Sequence, residues 1–285
     1  MYKIGINFDE ISDSLDEAIG VMRRQKVMYG ELRTLNKKNF VFWTDLEVRD
    51  FKARIDASGI ILVAAATPLF KWYDKETDPE VVHDNFGFNP RLSFEEKKKV
   101  IDRVLHIADS LAISRLRIFS GLGHRVAAGK HFADSDLLSY ALTQADSHNI
   151  SLYIENEPVC NVHTKSDILD LLKYNSHPRL NLWLDIANLI EIGEDLDPEF
   201  IKSVAGRLGY VHVKDFLIND GEKIYVPVGK GKIIYDRAIR LIYDEKQDGI
   251  IITVETHAKT DKISMSEQSI IGLRRILDEQ GITHQ

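Results

Sequence analysis

The sequence predicts a single (β/α)8 barrel spanning residues 1–285. Three observations carry this. Short apolar runs rich in β-branched residues recur along the chain, each is followed by a stretch with helical spacing of apolar positions, and the total length suits one barrel of about 250 residues. The runs fall at residues 3–8, 30–35, 59–66, 115–119, 151–154, 180–184, 209–213 and 249–254. Strands that alternate with helices must pair in parallel, because each crossover helix returns the chain to the same end of the sheet.

Helix starts are signalled locally. Ser14 with Glu17, Thr44 with Glu47 and Ser93 with Glu96 each have capping-box spacing, and Asp197 stands before Pro198 as cap and first helical residue. Residues 98–111 and 267–279 have amphipathic spacing, as at Ile101, Leu105, Ala108 and Leu111. An open doubly wound sheet is the competing architecture. It would call for a glycine-rich phosphate loop after the first strand, where Asn7-Phe8-Asp9-Glu10 stands instead. Two connections that follow strands are unusually long and read as lid or substrate-contacting loops: residues 67–92, with Trp72, Tyr73, His83, Phe86 and Phe88, and residues 120–135, with His124, Arg125, Lys130 and His131.

The formal net charge of -7 argues against a general nucleic-acid partner, since phosphate-backbone affinity comes largely from Lys and Arg. The N-terminus lacks the basic start and long apolar stretch of a secretory leader, and the apolar run at residues 60–70 is too short to span a bilayer. The lone cysteine, Cys160, reads as a small packing residue and fits a reducing compartment. A cytoplasmic protein with no membrane partner is therefore expected, and a homo-oligomer is compatible with these numbers.

In four units an ionisable residue ends or nearly ends the apolar strand: Glu155, Asp185, His212 and Glu255. Each separation amounts to one βα unit, the last one enlarged, so all four are expected at one level on the C-terminal mouth of the barrel. Three carboxylates gathered there would repel one another, and a divalent cation removes that conflict. Three oxygen donors and one imidazole suit Mn²⁺ first, with Mg²⁺, Co²⁺ or Zn²⁺ as alternatives. Such a site can chelate a carbonyl and its neighbouring hydroxyl, acidify the adjacent C–H and support proton transfer through an enediolate, with Glu155 and Glu255 as acid and base. The expected substrate is a small carbohydrate-like carbonyl compound.

The segments IENEP around Glu155, LDIAN around Asp185, VHVKD around His212, GKGKI at 229–233 and VETH around Glu255 together resemble the sugar phosphate isomerase/epimerase superfamily, the xylose isomerase-like TIM barrels. The resemblance implies that Glu155, Asp185, His212 and Glu255 hold one divalent metal with the two glutamates as the acid/base pair. It also implies that Lys214, Asp215 and His257 contact substrate or orient the ligands. Many ketose epimerases of this kind carry a histidine where Asn188 stands, and an arginine near Leu217, so a free-ketose 3-epimerase fits less well. Asn188 can still donate and accept hydrogen bonds to a substrate.

Glu31 and Arg33 on the second strand, and Arg117 on the fourth, read as internal ion-pair partners, with substrate contact the alternative. Gly229-Lys230-Gly231-Lys232 offers backbone N–H groups to an anionic substrate, or a solvated turn. A dehydratase would use the same site by expelling a β-hydroxyl. An apurinic endonuclease of this barrel type would require three zinc ions, more histidines and a basic face, and a non-catalytic sugar-binding barrel would have no use for the paired glutamates.

Overall fold

The computed structural model describes residues 1–75, 78–82 and 89–285. Its strands are β1 (Lys3–Asn7), β2 (Tyr29–Leu32), β3 (Thr34–Leu35), β4 (Lys38–Asn39), β5 (Ile61–Ala66), β6 (Arg115–Ile118), β7 (Ser151–Glu155), β8 (Leu180–Asp185), β9 (Leu208–Val213), β10 (Asp215–Asn219), β11 (Glu222–Val226) and β12 (Ile251–Val254). Eight of them close into a parallel barrel in the order β1-β12-β9-β8-β7-β6-β5-β2. The other four form two small antiparallel hairpins on the loops, β3 with β4 and β10 with β11. The sequence run at 30–35 is thus divided: its first part enters the barrel and Thr34–Leu35 turns out into a hairpin.

Period-2 alternation sorts the side chains into layers. In β7, β8 and β9 the even-numbered apolar residues Ile154, Leu182 and Leu184 and the odd-numbered Val211 and Val213 are buried in the large cluster that includes the helices. The opposite faces bury Tyr153, Trp183 and Tyr210 in a second cluster with Tyr29, Val63, Ala64 and Ile251, which fills the barrel interior. Trp183 stacks on Tyr210 at 3.6 Å between ring centroids. Two residues further along the same faces come Glu155, Asp185 and His212, so an aromatic floor lies one layer beneath them.

Thr44 and Ser93 complete the expected capping boxes, and a third box, Thr164 with Asp167, starts the helix Lys165–Tyr174. Asp197 caps Pro198–Val204 as anticipated, accepting from Phe200 N at 2.8 Å. Ser14 departs from expectation: its side chain makes no cap bond, and Ser12 instead accepts the Ser14 N–H and donates its hydroxyl to Glu17. Among the described residues no helix is long and apolar enough to cross a membrane.

The two long connections also depart from a pure lid. Trp72 and Tyr73 are buried in the main core rather than facing a ligand. His83, Phe86 and Phe88 lie outside the described residues. In the second connection Ala128–Ala133 is a helix packed on Lys165–Tyr174, and Gly129 is required there because a Cβ would lie 2.1 Å from Asp167 O. His124 stacks on His163, and Arg125 pairs with Asp74 and Asp78, so neither is turned to the barrel mouth.

Candidate metal centre

Glu155 ends β7, Asp185 ends β8, His212 lies in β9 and Glu255 follows β12. In the closed sheet these four strands are consecutive neighbours, and Asp185 is directly in register with His212. Each of the four residues offers one ligand atom, these atoms lie within 4.8 Å of one another, and all four side chains are buried.

Each residue also has a second polar atom turned outward and anchored. Glu155 Oε2 lies 3.0 Å from Arg117 Nη1. Asp185 Oδ1 accepts the Asn188 N–H at 2.9 Å, as the cap of helix Ile186–Glu191. Glu255 Oε1 accepts from Arg33 Nη1 at 2.7 Å. His212 Nε2 lies 2.9 Å from Glu31 Oε2, and Glu31 is itself fixed by Tyr210 Oη at 2.9 Å and by Asn7 Nδ2 at 3.1 Å.

The inward atoms are left facing one another. His212 Nδ1, which makes no well-formed hydrogen bond among the described residues, lies 3.3 Å from Glu155 Oε1 and 3.5 Å from Glu255 Oε2. Asp185 Oδ2 likewise accepts no well-aligned hydrogen bond, although Lys214 Nζ is 2.8 Å away as an ion-pair partner. Once Nδ1 has given up its proton, an imidazole whose far nitrogen donates to a carboxylate presents the lone pair of its near nitrogen, the arrangement that metal-bound histidines adopt. By donor type and by these orphaned inward atoms, the four residues fit a divalent cation.

The charges are strongly coupled. Burial would raise the Glu155 pKa, but Arg117 and His212 outweigh it and hold it at about 2. Burial would also raise Glu255, yet Lys214, His257 and His212 keep it well below the usual carboxylate range. Asp185 is raised, because burial outweighs Lys214. His212 resists the lowering effect of burial, since Glu31 and Glu255 favour its charged form. A cation that takes Nδ1 must therefore displace a proton, which makes loading weaker in acid.

A cavity of about 410 Å³ reaches this cluster at Glu155 and Glu255, with Lys71, Arg117, Glu157, Lys214, His257 and Lys262 among its other walls. That volume lies in the range of small-molecule sites. Of the residues expected to touch a substrate, Arg117, Lys214 and His257 line the cavity, and His257 Nε2 is 3.0 Å from Glu255 Oε2. Asn188 does not. Its amide donates to Asn156 O at 2.9 Å while its N–H holds Asp185, which makes it a strut for a candidate ligand.

Asp215 is likewise anchored within the protein. Its carboxylate accepts the backbone N–H groups of Phe216, Gly229, Gly231 and Ile233, at 2.8 to 3.2 Å. Two N–H groups of the Gly229–Lys232 loop thus bind a side chain of the protein itself. Gly231 is obligatory at this point, because a Cβ would meet Asp215 Oδ1 at 2.1 Å.

Sequence reasoning gave no role at the mouth to Asp9, Glu10, Lys71, Glu157 or Lys262, all of which line the cavity. Arg33, read as an ion-pair partner, bridges Asp9, Glu10 and Glu255. The signal that found the four ligands, an apolar strand ending on acids, was also present at Asp9-Glu10 after β1.

Residues 27–277 match the family described as xylose isomerase-like TIM barrel, and the chain belongs to that family. No curated protein matches the sequence closely enough to count as a relative. Among solved structures, the probable 3-DHS dehydratase AsbF of Bacillus anthracis has a TM-score of 0.74 at 14% identity, covering 95% of this chain and 98% of its own. The IOLI protein with a bound zinc atom has a TM-score of 0.73 at 16% identity, covering 97% of both chains. A D-allulose 3-epimerase from Methylomonas sp., in complex with D-allulose, has a TM-score of 0.71 at 14% identity, with 96% of both chains covered. Identities this low establish a shared fold alone.

Proposed function

We propose that the chain is a divalent-metal-dependent isomerase or epimerase that moves a proton beside the carbonyl of a small carbohydrate-like substrate. The observation that carries this reading is the convergence of Glu155, Asp185, His212 and Glu255, each with one atom anchored outward, and with Asp185 Oδ2 and His212 Nδ1 buried at their meeting point without a well-formed hydrogen bond among the described residues. A divalent ion held there would polarise a carbonyl and acidify the neighbouring C–H. Mn²⁺ is the first candidate, and the zinc atom in the IOLI structure keeps Zn²⁺ beside it.

The side chains supply the rest. Glu155 and Glu255 are ionised at neutral pH, the form that can accept a proton. Arg117 and Lys214 keep both weak as bases, so the C–H must be made acidic before either can take its proton. Lys71, Lys214 and Lys262 offer donors to substrate oxygens from the cavity walls. The buried floor of Tyr153, Trp183 and Tyr210 keeps the barrel interior packed below the reacting layer.

A dehydratase of an inosose or keto-acid is the second reading, favoured by the Lys214 ammonium on the cavity wall, which could protonate a departing hydroxyl. The deciding experiment loads the protein with Mn²⁺ and follows deuterium uptake at the carbon next to the carbonyl across ketoses, keto-acids and inososes. Exchange with recovery of an isomer supports the first reading, and loss of water supports the second. No exchange with any substrate, together with no metal uptake, removes both.

A further inference from the structure

Lys214 makes a contact that neither a substrate-binding lysine nor a simple surface ion pair accounts for. Its ammonium lies 2.8 Å from Asp185 Oδ2 and 3.2 Å from Glu255 Oε2. These are the inward oxygens of two candidate ligands, whereas Asn188 and Arg33 hold the outward oxygens of the same carboxylates. The side chain is 4% exposed and lines the cavity.

The backbone beneath it cannot follow the ammonium. Tyr235 Oη accepts the Lys214 N–H at 3.0 Å and donates to the Lys214 carbonyl at 2.6 Å. Any change of partner must therefore come from the flexible four-carbon stem, which carries a compact, freely rotating point charge. The open space into which the stem can swing is the cavity itself.

Resting on the metal reading above, we propose that Lys214 is a resident counter-cation: it holds Asp185 and Glu255 together before the divalent ion arrives and competes with that ion for the same two oxygens. Gathering buried carboxylates without a positive partner is costly, so the lysine stabilises the unloaded mouth of the barrel. The same charge repels an incoming dication, so it weakens loading. Both effects act in one direction, and removing the charge should strengthen metal binding while weakening the stripped protein.

The test uses the full chain, stripped with chelator and titrated with Mn²⁺ by calorimetry, with thermal unfolding recorded in chelator and in saturating Mn²⁺. Lys214→Met is expected to bind Mn²⁺ about tenfold more tightly or better. Its stripped form should melt below the wild type, with the difference recovered on loading. Lys214→Arg, which keeps the charge, should melt near the wild type when stripped and gain no affinity. Should Lys214→Met unfold on stripping, the chelator concentration that removes Mn²⁺ from the loaded variant gives the affinity, and a higher concentration than for the wild type supports the proposal. Unchanged or weaker Mn²⁺ binding in Lys214→Met overturns it, as does failure to fold even in saturating Mn²⁺, which would make Lys214 a purely structural partner. A wild-type chain that takes up no ion defeats the proposed function instead.

Discussion

The two halves of the barrel contribute different things to one centre. The later strands, β7, β8, β9 and β12, bring the four candidate ligands. The earlier strands, β2 and β6, bring the groups that hold those ligands from outside: Glu31 on His212, Arg33 on Glu255 and Arg117 on Glu155. The later half presents the donor atoms and the earlier half orients three of them, while Asp185 is held from its own half by Asn188 and Lys214. Because closure puts β1 between β12 and β2, residues more than two hundred positions apart in the chain, such as Arg33 and Glu255, meet across the mouth.

The comparison is broken most severely by removing a donor from the later half. Glu155→Gln should lower proton exchange by a factor of about 10²–10⁴, the usual contribution of a positioned acid or base, with circular dichroism unchanged. Near-normal exchange in this variant and in Glu255→Gln would defeat the two-base assignment.

An outer partner comes next. Arg117→Met leaves the Glu155 carboxylate buried without its main cation, and urea unfolding at neutral pH should show a loss of about 3–5 kcal/mol. The sign with pH follows from the same pair. Glu155 is held at about 2 against an ordinary 4.5, so in metal-stripped protein its contribution is complete above the ordinary value and fades as pH falls through the held one. The variant should lack that acid-side decline, and an identical decline in both proteins would disprove the pairing.

Glu31→Gln tests orientation with little change in the donors. With its carboxylate gone, the His212 Nε2 proton loses its acceptor charge, and Mn²⁺ affinity measured by titration should fall about 10–100-fold. The smallest effect belongs to a site that touches neither half of the centre. Ser93→Ala removes one side of a capping box, and thermal unfolding should report a loss of about 1 kcal/mol with metal affinity intact.

The asymmetry between the halves also explains what could be read in advance. Glu155, Asp185, His212 and Glu255 each end an apolar strand, so their level in the barrel follows from spacing alone. Glu31 and Arg117 carry no such mark, because their roles depend on which side chain faces them across the closed sheet. A related reason applies to Asn188 and Asp215: polar residues inside a motif can serve the backbone and the ligands as readily as a substrate, and only their partners distinguish the two. The strand and helix plan was legible because its determinants are local, whereas the division of residues 30–35 between barrel and hairpin depends on pairing with Lys38–Asn39.

Trp183 lies edge-on to His212, with 4.9 Å between ring centroids. An indole this near an imidazole senses both the proton that the ring gives up and the dication that replaces it. Its ultraviolet emission should therefore change on loading, giving the protein an intrinsic optical gauge of occupancy that needs no dye and no substrate. Of the other two tryptophans, Trp43 belongs to the outer packing around the helices and Trp72 to the loop that follows β5, so both supply a steady background against which that signal can be read.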